Sequence, residues 1–192
     1  MNIHNTYPLP LTWSLDNSYV LLPNLPLLDN KHIEQARTST YFPPHKENTP
    51  KELGTRVQSS NTDPLPFTES KFCQDIKNYF GNVVAKYSIM NPFTMYDWHQ
   101  DIDRPYCINT LIIQPPNAMT LHRKPINRMV YDIREVEYVM TQPLLFNSSI
   151  PHCVINNSNQ ARCIMSISMI GSKRTWDEAK QWLLNYRIDS FE

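Results

Sequence analysis

Only three of the 192 residues are glycine, and neither G-x-G-x-x-G nor G-x-x-x-x-G-K-[ST] occurs. Without a Gly-rich phosphate loop, a dinucleotide-binding or P-loop enzyme is not expected. The four cysteines, Cys73, Cys107, Cys153 and Cys163, form no C-x-x-C pair. That argues against a structural zinc site and for free, mostly buried thiols. No stretch approaches the roughly 18 apolar residues that span a bilayer. Residues 1–11 lack a basic start followed by an apolar run, so a cytoplasmic protein with no membrane association is expected. Charge is scarce and balanced: 19% of residues are charged, 18 basic against 18 acidic. There is accordingly no strong nucleic-acid signal. Proline is what the chain has in excess, at 16 residues, which limits long helices and central strands. With 41% apolar and 11% aromatic residues, a sizeable core is affordable for one domain.

The pattern changes along the chain. Tyr19-Val20-Leu21-Leu22, ended by Pro23, reads as a short strand, and Asp29 can cap a helix through Ala36. Residues 41–66 are polar and broken by five prolines, the signature of a long surface loop. Phe72, Ile76 and Phe80 recur at helical spacing before Gly81, so residues 69–80 are expected to be helical. Then come seven short β-branched and aromatic runs, at 83–90, 94–99, 107–113, 129–140, 143–146, 152–156 and 162–170. They predict a mainly β fold, a sandwich or barrel, with residues 114–128 as a loop. A final helix is expected over 176–186, packing Trp176, Ala179, Trp182 and Leu183 on the sheet.

In the last strand Cys163, Met165, Ile167 and Met169 alternate with Arg162, Ile164, Ser166 and Ser168. The first set suits a face covered by helices; the second suits a polar interior, where an inward arginine needs an anionic partner.

Chemistry concentrates around Trp98-His99-Gln100-Asp101. Residues at i and i+2 of an extended segment point the same way, so His99 and Asp101 can meet one metal. His152 is a third candidate, and Arg162 follows ten residues later. Two imidazoles and a carboxylate suit non-haem Fe(II), although a zinc hydrolase uses the same donors. The arginine favours iron with a chelating 2-oxo acid, whose second carboxylate a bidentate guanidinium fits. Each residue also has an ordinary reading: Asp101 on a solvated turn, His152 as a hydrogen-bonded loop histidine. Trp98 is expected to pack outward, His122 to be a loop residue rather than a ligand, and Arg123, Lys124 and Arg128 to form a solvated face.

This pattern resembles the Fe(II)/2-oxoglutarate-dependent oxygenases, in which H-x-D, a distal His and a following Arg occur in this order. The longer runs His99, Asp101, Arg104, Asn109 and Phe146, Asn147, Ser148, His152, Val154, Asn156 are similar to its aspartyl/asparaginyl β-hydroxylase-like or proline-hydroxylase-like branch. The resemblance covers about residues 85–170. It implies a double-stranded β-helix (jelly roll, cupin-like) at 81–171. Residues 1–80 are not covered by it, and there the residue pattern itself leads us to expect an N-terminal helical and loop buttress, with a C-terminal helix at 172–192. It also implies Fe(II) on His99, Asp101 and His152, with 2-oxoglutarate and O2 as cosubstrates and Arg162 on the 5-carboxylate. Where the family often has R-x-S, this chain has Ile164, so Asn109 and Tyr87 are candidates to assist. Arg104 either binds an anionic substrate group or pairs with Asp101 or Asp103. The implied activity is hydroxylation of an amino acid or peptide side chain, or of another small molecule. A cupin-like metalloenzyme without a 2-oxo acid and a non-catalytic jelly roll remain the alternatives.

Overall fold

The computed structural model describes residues 17–25, 31, 33–34, 57–59 and 70–187. In chain order the elements are β1 (Tyr19–Leu21), β2 (Val57–Ser59), α1 (Lys71–Phe80), β3 (Val83–Met90), β4 (Thr94–His99), β5 (Cys107–Ile113), β6 (Ala118–Pro125), β7 (Tyr131–Glu135), β8 (Pro143–Phe146), β9 (His152–Asn156), β10 (Arg162–Met169) and α2 (Trp176–Asn185). The strands form two antiparallel sheets, one ordered β1-β8-β5-β10-β3-β2 and the other β4-β9-β6-β7. This is a double-stranded β-helix with flanking helices, as expected.

The pleat of β10 sorts the core from the site. Cys163, Met165, Ile167 and Met169 join Tyr87 and Ile89 of β3 in a buried cluster with Phe72, Ile76 and Phe80 of α1 and Ala179 and Leu183 of α2. The opposite phase, Arg162, Ile164 and Ser166, lines an internal pocket. Alternation forces this separation, because consecutive side chains of a strand leave opposite faces.

Both helices have local reasons to begin where they do. Ser70 caps α1 by accepting from the Cys73 N–H at 3.1 Å, and Gly81, at φ 89°, ends it. Thr175 and Glu178 form a reciprocal capping box at the start of α2. Between the helices Tyr79 stacks on Trp182 at 4.7 Å, and Phe72 meets Tyr186 edge-on at 5.1 Å.

Two readings of the sequence need correction. Residues 114–128 are not simply a loop: they contain β6, which pairs with β7 and β9. Its alternating Thr120, His122 and Lys124 hid the strand, because a polar barrel interior puts hydrophilic side chains on the inward face. The adjacent 129–140 run is a strand only over Tyr131–Glu135. Of the helix expected at 29–36 only residues 31, 33 and 34 are described, and all three are helical. Most of the 41–66 loop lies outside the described residues, although Val57–Ser59 pairs as an edge strand with β3.

Candidate metal centre and its pocket

His99 ends β4 and His152 begins β9, and the two are cross-strand partners. A register shift between Tyr96 and His99 turns the end of β4, and the imidazole centroids lie 4.1 Å apart. Each Nδ1 contacts the carbonyl oxygen two residues upstream: Asp97 at 2.6 Å for His99, Ile150 at 2.9 Å for His152. A carbonyl only accepts, so each Nδ1 carries the proton and each Nε2 presents a lone pair. Those two Nε2 atoms lie 3.9 and 4.0 Å from the Asp101 carboxylate. These separations are too long for hydrogen bonds. One donor atom from each of the three residues falls within 4.8 Å of the others. Burial, with His99 close by, pushes the His152 pKa down to about 4, against the pull of Asp101; its imidazole is neutral at pH 7, as a ligand must be.

Asp101 is anchored through both its backbone and its carboxylate. Its N–H donates to the Ser148 carbonyl at 3.0 Å, and Ser148 Oγ donates to the Arg104 carbonyl. Arg104 Nε lies 3.0 Å from Asp101 Oδ2, while its Nη1 donates to Ser168 Oγ at 3.1 Å. Of the two expected roles for Arg104, pairing with Asp101 is the one found. Partners of this kind fix the orientation of a ligating carboxylate.

Deeper in the pocket Arg162 is 1% exposed. Its Nε donates to Gln114 Oε1 at 2.9 Å, and its guanidinium carbon lies 5.2 Å from the Tyr138 ring centroid. Asn109 lines the same pocket and donates from Nδ2 to the Tyr138 hydroxyl at 3.2 Å. Arg162 Nη2 and Thr120 Oγ1 are buried without a hydrogen-bond partner. Orphaned polar atoms in such a place are costly unless a ligand meets them. A carboxylate, with two acceptor oxygens, fits both. Burial lowers the Arg162 pKa and raises that of Tyr138, while their contact opposes both shifts.

Tyr87, expected as a helper, is not in this pocket. The β3 pleat sends Ser88 and Met90 to the pocket and Tyr87 into the helix-covered core. Tyr138 lines the pocket instead. It falls within the run expected as a strand at 129–140 but lies beyond the end of β7, and Val136 N–H, bonded to the Thr120 carbonyl at 2.8 Å, holds the segment against β6. His122 is a strand residue opposite His152, yet it belongs to no metal-binding group. Burial, then the nearby His152, lowers its pKa to about 3, and the neutral ring stacks on Phe146 at 4.6 Å. Trp98 lies under Arg123, whose guanidinium is also 5.1 Å from the Tyr131 ring.

No protein-family model and no curated protein matches the sequence. Solved structures do. A Pseudomonas putida prolyl-4-hydroxylase aligns with a TM-score of 0.52 at 13% identity, over 83% of this chain and 94% of that one. A Trichoplax adhaerens prolyl hydroxylase, in complex with a hypoxia inducible factor oxygen degradation domain peptide, gives 0.53 at 12% over 89% and 88%. HygX from Streptomyces hygroscopicus, with nickel, 2-oxoglutarate and hygromycin B bound, gives 0.52 at 10% over 80% and 83%.

The chain shares the fold of these solved structures. In this double-stranded β-helix His99, Asp101 and His152, which could hold a metal, gather at the β4 and β9 edge of the four-stranded sheet, and Arg162 enters the same pocket from the six-stranded one. Among the described residues, no helix is long and apolar enough to cross a membrane.

Proposed function

We propose that the protein is an Fe(II)- and 2-oxoglutarate-dependent dioxygenase that hydroxylates a C–H bond of an amino acid, a peptide side chain or another small molecule. The observation that carries this reading is the pairing of two features in one pocket: the His99/Asp101/His152 donor set and the unsatisfied guanidinium edge of Arg162. Neither feature alone would separate an oxygenase from a zinc site or from a buried structural arginine.

His99 and His152 offer Nε2, and Asp101 offers a carboxylate oxygen, to Fe(II). When bound, the iron and 2-oxoglutarate supply the oxidising chemistry, consuming O2 and releasing succinate and CO2. Everything else falls to side chains. The two backbone carbonyls hold the imidazole tautomers, and Arg104 holds Asp101. Arg162 and Thr120 take the far carboxylate of the 2-oxo acid, and Tyr138, tethered by Asn109, supports the guanidinium. Thr120 thereby stands in for the hydroxyl that Ile164 lacks. The apolar walls Met90, Phe146, Val154 and Ile164 limit water in the pocket. The peptide bound to the Trichoplax adhaerens relative supports a peptide or amino-acid substrate.

The test is succinate release from 2-oxoglutarate under air, with and without Fe(II), across a panel of amino acids and short peptides. Metal-dependent succinate formation, stimulated by one panel member, is the expected result. Tight metal binding with neither 2-oxoglutarate binding nor turnover would instead favour a cupin-like enzyme that uses no 2-oxo acid.

A further inference from the structure

Two cavities meet at Arg162. The one on the metal side has a volume of about 90 Å3. The other, about 280 Å3, is lined by Leu111, Gln114, Glu135 and Glu137. Thr120, Tyr138 and Arg162 line both, so these three side chains stand between the two chambers. The partition is held in place from both sides. Gln114 accepts from Arg162 Nε at 2.9 Å and donates to the Ala118 carbonyl. Asn109 holds the Tyr138 hydroxyl at 3.2 Å, with the ring against the guanidinium. The distance from the metal donors to the free Arg162 edge is therefore fixed by neighbours, and Tyr138 is the bulkiest neutral part of the wall.

We propose that Tyr138 determines the chain length of the 2-oxo diacid that this protein accepts. It closes the metal-side chamber so that 2-oxoglutarate reaches Arg162, and it denies 2-oxoadipate, one methylene longer, the space beyond. Rejection comes from a wall of ring carbons and a guanidinium that cannot retreat, since its Nε is committed to Gln114. Shortening the Tyr138 side chain joins the two cavities and gives the extra methylene somewhere to go. The inference rests on the reading of the pocket as a 2-oxo acid site.

The experiment is calorimetric titration of Mn(II)-loaded protein with 2-oxoglutarate and with 2-oxoadipate, comparing the ratio of their dissociation constants. One misfitting methylene is worth about 10–200-fold, so the wild type is expected to favour 2-oxoglutarate by at least about tenfold. Y138F retains the ring and keeps that ratio, even if both acids bind more weakly. Y138A shifts the ratio toward 2-oxoadipate by about tenfold or more, and Y138L, which refills part of the wall, shifts it in the same direction by less. Circular dichroism identifies any variant that fails to fold, and either opened variant then suffices. Equal binding of the two acids by the wild type, or an unchanged ratio in the folded opened variant, overturns the proposal while leaving the 2-oxo acid site intact. Binding of neither acid by the wild type overturns the reading of the site, and the proposal falls with it.

Discussion

His99 and His152 are cross-strand partners on β4 and β9, and each gives its Nδ1 proton to the carbonyl two residues before it. The consequence is that two Nε2 lone pairs converge beside Asp101. With the proton on Nε2 instead, neither ring would offer a lone pair beside Asp101, so the backbone at Asp97 and Ile150 sets the chemistry of the site.

His152→Ala should abolish tight binding of one equivalent of Mn(II), measured by calorimetry on the metal-free protein. The loss should exceed the ~10–100-fold that removal of an outer partner causes. Unchanged affinity would mean that the ion binds elsewhere.

Arg104 gives a graded version of the same test. Its Nε is 3.0 Å from Asp101 Oδ2 and its Nη1 reaches Ser168, so R104L should free the carboxylate to rotate. Metal affinity is expected to fall about 10–100-fold while 2-oxoglutarate affinity of metal-saturated protein changes little. A reverse pattern, with metal binding intact and binding of an acidic substrate lost, would assign Arg104 to the substrate instead.

Much of this arrangement can be read from the chain because it depends on alternation. The two phases of residues 162–169 separate the helix-covered core from the pocket, and the strands at 83–90, 94–99, 107–113, 143–146 and 152–156 begin and end as their composition suggests. Applying the same alternation to β3 would have put Tyr87 in the core, since Ser88 is in the pocket. β6 was hidden because a barrel interior rewards Thr and His where strand rules look for apolar side chains. Tyr138 falls in the run expected as a strand at 129–140, but β7 ends at Glu135 and its position comes from a backbone bond between Val136 and Thr120, a long-range contact that local pattern does not encode.

The helical layer contributes stability rather than chemistry. Ile76 is fully buried between α1 and the sheet, and Ile76→Ala should cost about 2–5 kcal/mol by loss of transferred apolar surface plus the cavity left behind. Urea unfolding of the metal-free protein measures this as a lower midpoint at unchanged slope. A loss well under 1 kcal/mol would show that α1 is loosely packed.

The capping box of α2 gives a pH dependence. Hydrogen bonds from the Thr175 N–H and then its hydroxyl hold the Glu178 pKa below its ordinary 4.5. A depressed carboxylate stabilises the fold fully above its unfolded pKa, and that contribution is lost as pH falls through the lower folded value. Glu178→Gln should therefore be less stable than wild type at pH 7, with the gap closing below about pH 4.5. A gap that stays constant down the acid range would show that the carboxylate charge plays no part in the cap.

The most direct measurement is anomalous diffraction from crystals of the protein soaked in Mn(II), with 2-oxoglutarate present. One peak is expected, bonded to His99 Nε2, Asp101 and His152 Nε2, with the far carboxylate of the acid against Arg162. A peak away from those three atoms, or an acid bound without touching Arg162, would contradict the shared site.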